Sequence, residues 1–188
     1  VRAKRVEEEL TEKGRAWVDG GDRAAGIHAS GLMDIRQEYW RQLDPKPLSR
    51  RMIWMFAAGR AMHEIIRAFD GSSGSDEGSR YCDELGITYS PDYDRDLTLA
   101  EVKTSRSFFE PGPRDLDLYT EQLAIYAVCE YLKTGKMHLR YELRVLYLNL
   151  KNSENQTSPD IRVFLVRFTK AHLQAFRKEL AKHKKDLD

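Results

Sequence analysis

Three residues in one short run could carry chemistry. In "SPDYDRDLTLAEVKTS", residues 90–105, Asp92 follows a proline and Glu101 stands two positions ahead of Lys103. Apolar residues and threonine alternate through the second half, which predicts a strand entering a core. Side chains repeat every two residues along a strand, so Glu101 and Lys103 share a face. If Asp92 ends a neighbouring strand, two carboxylates and an amine meet at one point of the sheet. Two carboxylates can hold a hard divalent cation through oxygen. An ammonium beside them can orient a water, and the ion lowers that water's pKa. Those groups suit metal-assisted hydrolysis of a phosphodiester. They also make an ordinary Glu–Lys ion pair, with Asp92 a turn residue after Pro91, and the spacing alone leaves both readings open.

Other placements add candidates. His63 lies beside the apolar stripe of a predicted helix, one turn past Gly59, where a small residue would let another backbone approach. Gln122 and Tyr126 stand four apart, one above the other, on a helix that is apolar almost all round. Burying an unpaired amide is costly, so Gln122 needs hydrogen-bond partners. A core or surface histidine, a marginal glutamine and a packed tyrosine describe the same residues equally well.

The elements that must position these groups follow from periodicity and breakers. Residues 1–17 predict a charged helix, and "SGLMDIRQEYWRQL" a second, with Leu32, Ile35, Tyr39 and Leu43 at helical spacing. "DPKP" breaks the chain before "RMIWMFAAGRAMHEIIRAF", whose stripe is Met55, Met62, Ile66 and Phe69. "GSSGSDEGSR" (71–80) reads as a loop, composed like a laboratory linker. Strands are predicted over 84–91 and 97–104. The loop "FFEPGPRD" precedes the helix "LDLYTEQLAIYAVCEYLKTG", ended by Gly135. "HLRYELRVLYLNL" and "IRVFLVRF" read as strands, and "TKAHLQAFRKELAKHKK" as a helix capped by Thr169. The expected class is α/β, a mixed sheet flanked by helices with no internal repeat.

Composition sets the frame. A chain of 188 residues, 41% apolar and 32% charged, predicts one soluble domain with a substantial core. No stretch approaches twenty apolar residues, which argues against a membrane span. The start has no signal-peptide core and no initiator Met, as in a trimmed chain. Two cysteines, Cys82 and Cys129, are too few for a disulfide framework and favour a reducing, cytoplasmic setting. A net charge of +1 shows no global basicity, so any nucleic-acid site must come from local clusters of Lys and Arg.

Four motifs then fall in one order. Pro91-Asp92, eight intervening residues and Glu101-Val102-Lys103 resemble the signature of the PD-(D/E)XK nucleases. "GRAMHEII" resembles the histidine helix of the RecB-like branch, and "QLAIY" its Q-x-x-x-Y helix. The resemblance covers roughly residues 55–130 and is nearest to the single-domain exonucleases of phages and CRISPR adaptation; "HASGLMDIRQEYW" is similar to their N-terminal segment. It implies a restriction-endonuclease-like αβββαβ core with extra N-terminal helices and a C-terminal strand and helix. The implied layout is one nuclease domain over 1–188: a helical lead-in over 1–50, the catalytic core over 51–150, and the last strand and helix over 151–188.

The resemblance implies roles. Asp92 and Glu101 are catalytic and bind Mg²⁺ or Mn²⁺, with His63 and the Val102 carbonyl completing the metal set. Lys103 positions the attacking water. Gln122 and Tyr126 align the site and contact DNA. Asp94 and Asp96 compete with Asp92 for the metal, and Asp92 is favoured by its preceding proline and its distance from Glu101. An imidazole among oxygen ligands favours Mn²⁺ at least as much as Mg²⁺. Arg60, Arg67, Arg106 and Arg114 could meet phosphates, and Phe108 and Phe109 could stack on a base. The basic "KELAKHKK" reads as a solvated helix end.

Many relatives of that group bind an iron–sulfur cluster through four cysteines. Here Asp34 stands near the first such position and no cysteine follows Cys129, so no cluster is expected. The expected activity is a metal-dependent deoxyribonuclease, a hydrolase of ester bonds, acting as an exonuclease on single-stranded DNA or duplex ends. A restriction-type endonuclease and a catalytically silent nucleic-acid-binding module are the alternatives.

Overall fold

A computed structural model of the chain describes residues 12, 27–29, 49–69, 79–95, 97–105, 107, 109, 110, 112–151 and 154–185. The expected helices over 1–17 and in "SGLMDIRQEYWRQL", the body of the Gly/Ser tract, Asp34, Asp96, Arg106 and Phe108 lie outside the described residues, as do the side chains of Arg67, Phe69 and Arg114.

The described elements run β1 (Ile27–His28), α1 (Arg50–Phe69), β2 (Arg80–Cys82), β3 (Ile87–Tyr89), β4 (Tyr93–Arg95), β5 (Thr98–Ser105), α2 (Pro113–Thr134), β6 (Arg140–Lys151), β7 (Thr157–Val166) and α3 (Lys170–Lys185). They form a mixed α/β fold with two sheets, a small one in the order β1-β3-β2 and a larger one in the order β4-β5-β6-β7. In the larger sheet β5 and β6 are parallel, with α2 as the crossover, and the outer pairs are antiparallel. Among the described residues no helix is long and apolar enough to cross a membrane.

Several boundaries differ from the sequence-based expectation. The single strand expected over 84–91 is instead a short hairpin, β2 and β3 around a turn at 83–86, and β4 is a separate strand. Gly86 closes that turn at φ +64, and its amide donates to the Cys82 carbonyl at 2.7 Å. β1 was not foreseen; two residues are too short for a periodic signal. β7 begins earlier than "IRVFLVRF" suggests, because Thr157 and Ser158 still pair with β6.

Helix ends obey their local chemistry. α2 starts with Pro113, whose missing N–H is no loss in a first turn. It ends on Gly135 at φ 69, whose amide returns to the Tyr131 carbonyl at 2.8 Å. The Thr169 hydroxyl accepts from the His172 amide at 3.1 Å and caps α3 as expected.

The core explains why α2 reads as apolar all round. Residues 122–130 are all buried, between β5 and β6 on one side and α3, through Leu173 and Leu180, on the other. α1 is different. Burial passes from Ile53 and Ala57 in its first half to Ile66 in its second, and Met55, assigned to the apolar stripe by sequence, is 50% exposed. Nor, among the described residues, does another element approach Gly59: a Cβ there would meet nothing within 4 Å.

Candidate active site

Strand β5 brings the chemistry into the core. Leu99, Glu101 and Lys103 alternate on the face that opposes Tyr141, Leu143 and Val145 of β6, all three buried. α2 roofs this face, so Glu101 is only 2% exposed. The Lys103 ammonium bonds Glu101 Oε1 and donates to Gln122 Oε1 at 2.6 Å. Gln122 Nε2 donates in turn to the Tyr126 hydroxyl at 2.6 Å. The amide that sequence reasoning required to be satisfied is bonded at both ends, and the four side chains form one chain from sheet to helix. The Tyr119 ring lies 5.7 Å from the Lys103 nitrogen, a cation–π distance.

Asp92 reaches the same place from the other side. β4 pairs with β5 only from Thr98 to Ala100, which leaves the β5 edge open beyond that point. The Val102 amide fills the gap by donating to Asp92 Oδ2 at 2.8 Å. Amide and carbonyl of one strand residue face the same neighbour, so the Val102 carbonyl lies on that edge too. His63 on α1 meets Asp92 Oδ1 through Nδ1 at 3.0 Å. An ionised carboxylate only accepts, so Nδ1 carries the proton.

The two carboxyls titrate in opposite directions. Burial raises Asp92, but the His63 hydrogen bond and charge, the Val102 amide and Lys103 outweigh it and hold the group below the usual carboxylate range. Burial and then the Asp92 charge push Glu101 up to about 8, against the opposing pull of Lys103. Burial, followed by the charges of Glu101 and Asp92, raises the Tyr126 phenol well above its ordinary value.

Glu101 Oε2 is buried and no donor reaches it with hydrogen-bonding geometry, although the Tyr126 hydroxyl is close enough to feel both carboxylates. A buried carboxylate oxygen without a donor is costly, and it is the kind of atom a cation would satisfy. Asp92, Glu101 and the Val102 carbonyl are hard oxygen donors, and Mg²⁺ keeps several waters when so few protein groups bind it. The residues therefore fit such an ion. The full expected set is not assembled: among the described residues no three His, Cys, Asp or Glu side chains converge to hold a metal. As placed, His63 serves Asp92.

Of the other candidates, Asp94 is committed elsewhere. It accepts from Arg80 and His138, the latter at 2.7 Å, and so does not compete with Asp92. Arg60 is exposed one turn before His63, and Phe109 is exposed with the Lys151 nitrogen 6.0 Å from its ring. The hydrogen bonds described for the Asp92–Glu101 cluster run through His63, Val102, Lys103, Gln122 and Tyr126.

A second polar cluster escaped sequence reasoning. Arg80 bridges Asp94 and Glu130, and the Tyr89 hydroxyl donates to Glu130 Oε1 at 2.8 Å. It ties β2, β3 and β4 to α2 beside the first cluster, where Tyr89 and Tyr126 rings stand 6.2 Å apart. One signal was available: Gln122, Tyr126 and Glu130 continue a spacing of four along a helix otherwise apolar on that face.

No known family's sequence profile matches the chain, and no curated protein matches it. The crystal structure of SSO0001 is similar over 98% of this chain and 87% of its own, at 17% identity and a TM-score of 0.57. A Eubacterium rectale protein that carries a provisional exonuclease designation is 15% identical over 85% of this chain and 65% of its own; its TM-score of 0.40 is too low to bear on fold or function. At 17% identity SSO0001 establishes a shared fold and nothing of activity.

Proposed function

We propose that this chain is a metal-dependent nuclease that hydrolyses DNA phosphodiesters from strand ends. The observation that carries the reading is Glu101 Oε2, buried without a donor beside a second carboxylate, with a lysine held on its partner oxygen. Mg²⁺ or Mn²⁺ at that point would supply charge for the phosphate and acidify a water. Asp92 and Glu101 would bind the ion, with the Val102 carbonyl as a further donor. His63 and the Val102 amide hold Asp92 ionised and oriented. Lys103, turned toward the carboxylates by Gln122, would place a water and offset charge gathering on the phosphate. Tyr126 fixes Gln122 and so the lysine. Arg60 and Phe109 would touch the substrate outside the reacting centre. The motif order in the sequence supports the same reading, and the lack of a separate base-reading module among the described residues favours action at ends over reading of a sequence.

The test is cleavage of linear and covalently closed circular DNA with Mg²⁺ or Mn²⁺. Loss of the linear form alone is expected. Lys103→Ala should lower the rate by about two to three powers of ten, the usual cost of losing one group that stabilises transition-state charge, measured at a temperature where circular dichroism shows the variant folded. Discrete cuts in circular DNA would favour the endonuclease alternative. No cleavage by wild type with either ion, or near-normal cleavage by Lys103→Ala, would overturn the mechanism.

A further inference from the structure

The proposed reaction makes no use of Arg80, Tyr89, Asp94 or Glu130, yet the fold buries them together. Tyr89 and Glu130 are 2% and 4% exposed, and the Arg80 guanidinium lies between two carboxylates. An ion cluster so placed adds little stability over apolar residues of the same shape, because taking charges out of water offsets their attraction. What it fixes is geometry.

Asp92 stands between Tyr89, the last residue of β3, and Asp94 in β4. Backbone pairing does not reach it: the β4–β5 ladder ends with Tyr93 opposite Ala100, and one further step of that register would set Asp92 opposite Glu101. The two ends of this link are instead joined through side chains. Before Asp92, the Tyr89 hydroxyl donates to Glu130 Oε1 at 2.8 Å. After it, Asp94 accepts from Arg80 on one oxygen and meets His138 on the other at 2.7 Å. Arg80 closes the circuit by donating to Glu130 Oε1 as well.

The anchor is α2, the helix that also sets the lysine. Gln122, Tyr126 and Glu130 recur every four residues along about 12 Å of one helix face. Through Gln122 and Tyr126 that face holds Lys103 on Glu101, and through Glu130 it holds the link that bears Asp92. One row of side chains thus registers the two carboxylates against each other.

We propose that Arg80, Tyr89, Asp94 and Glu130 form a positioning clamp that holds Asp92 level with Glu101 and so sets the affinity of the site for a divalent cation. The clamp touches neither ion nor substrate and acts through Asp92. It rests on the reading of Asp92 and Glu101 as the ion's ligands. Groups that orient metal ligands from behind commonly govern affinity by about ten- to hundredfold.

The test is titration of the folded, metal-free, full chain with Mn²⁺ alone, free ion being read by electron paramagnetic resonance. Arg80→Met and Asp94→Asn should weaken binding by about ten- to hundredfold. Tyr89→Phe keeps the ring and removes one hydrogen bond, so it should stay folded and weaken binding several-fold. At saturating Mn²⁺ all three should cleave linear DNA within a few-fold of wild type, since none touches the reacting atoms. Arg80→Met combined with Glu130→Leu separates position from stability: apolar contact should restore part of the melting temperature while Mn²⁺ binding stays weak. Mn²⁺ affinity that returns with the melting temperature, or variants that are folded and bind as wild type does, would overturn the clamp alone. A wild type that binds no Mn²⁺ would overturn the metal reading and the clamp with it.

Discussion

Glu101 and Asp92 are the same chemical group held one strand apart, and their partners send them opposite ways. Asp92 receives His63 and the Val102 amide, whereas Glu101 has Lys103 on one oxygen and no donor in hydrogen-bonding geometry on the other. The consequence can be read without any metal present. Unfolded, the Glu101 carboxyl titrates near 4.5, and folded near 8, so folding takes up a proton between those values. Wild-type stability should therefore fall as pH rises through that window and level off above it, by at most about 1.4 kcal/mol per pH unit from this group. Glu101→Gln has no such proton to lose. Denaturant melts in a chelator should show the variant gaining on wild type from pH 5 to 8; a constant gap would mean Glu101 is already ionised in the fold. At this scale the sequence was most legible where acid, amine and amide lay within a few positions or one helix turn. Glu101 with Lys103 and Gln122 with Tyr126 could be paired by period alone. Arg80, Asp94, Glu130 and His138 could not, because each finds its partner across the tertiary fold.

Two element-scale features carry strain or charge that substitutions can expose. The β4–β5 turn places Leu97 at φ 62 with its side chain 58% exposed, so it bears left-handed strain with little packing in return. Its carbonyl accepts from the Leu139 and Arg140 amides, which ties the hairpin to the start of β6. Leu97→Gly should raise stability by about 0.5 kcal/mol, relief of the left-handed strain exceeding the entropy a glycine adds to the unfolded chain. A thermal melt lowered by several degrees would show that the leucine packs after all. Arg80 is the opposite case. Removing it leaves Asp94 and Glu130 without their shared cation, and Arg80→Met should cost about 3 kcal/mol. Arg80→Met with Glu130→Leu should recover part of that loss, and no recovery would show that the bridge is not the cause. Helix α2 was readable at its C-terminal end, Gly135, because that cap is local, whereas the pattern puts its start three residues late, at Leu116, with Pro113 read as part of the preceding loop. The β2–β3 hairpin was not readable, because three-residue strands fall below any periodic signal and owe their pairing to the core beneath them.

At the scale of the whole molecule, the helices α1 to α3 and the strands β5, β6 and β7 were present in order in the hydrophobic pattern, whereas the three short strands β2 to β4 and the division into two sheets were not. Pattern reports which residues face a core, and says nothing of which strand lies beside which. The parallel pairing of β5 with β6 has a consequence in time. β6 and β7 are adjacent in the chain and antiparallel, so they can zip as a hairpin, an event of about 1–10 μs. β5 must wait until the whole of α2 has been laid across the sheet, and contacts so distant in sequence form late. Pulse-labelled amide exchange during refolding should therefore protect Leu143 and Val145 against β7 before it protects Glu101 and Lys103 against β6. Simultaneous protection of both ladders would contradict this order. A chain caught midway would own a finished hairpin and a buried-to-be glutamate still in water: the face that carries Glu101 and Lys103 comes into being after the hairpin it rests on.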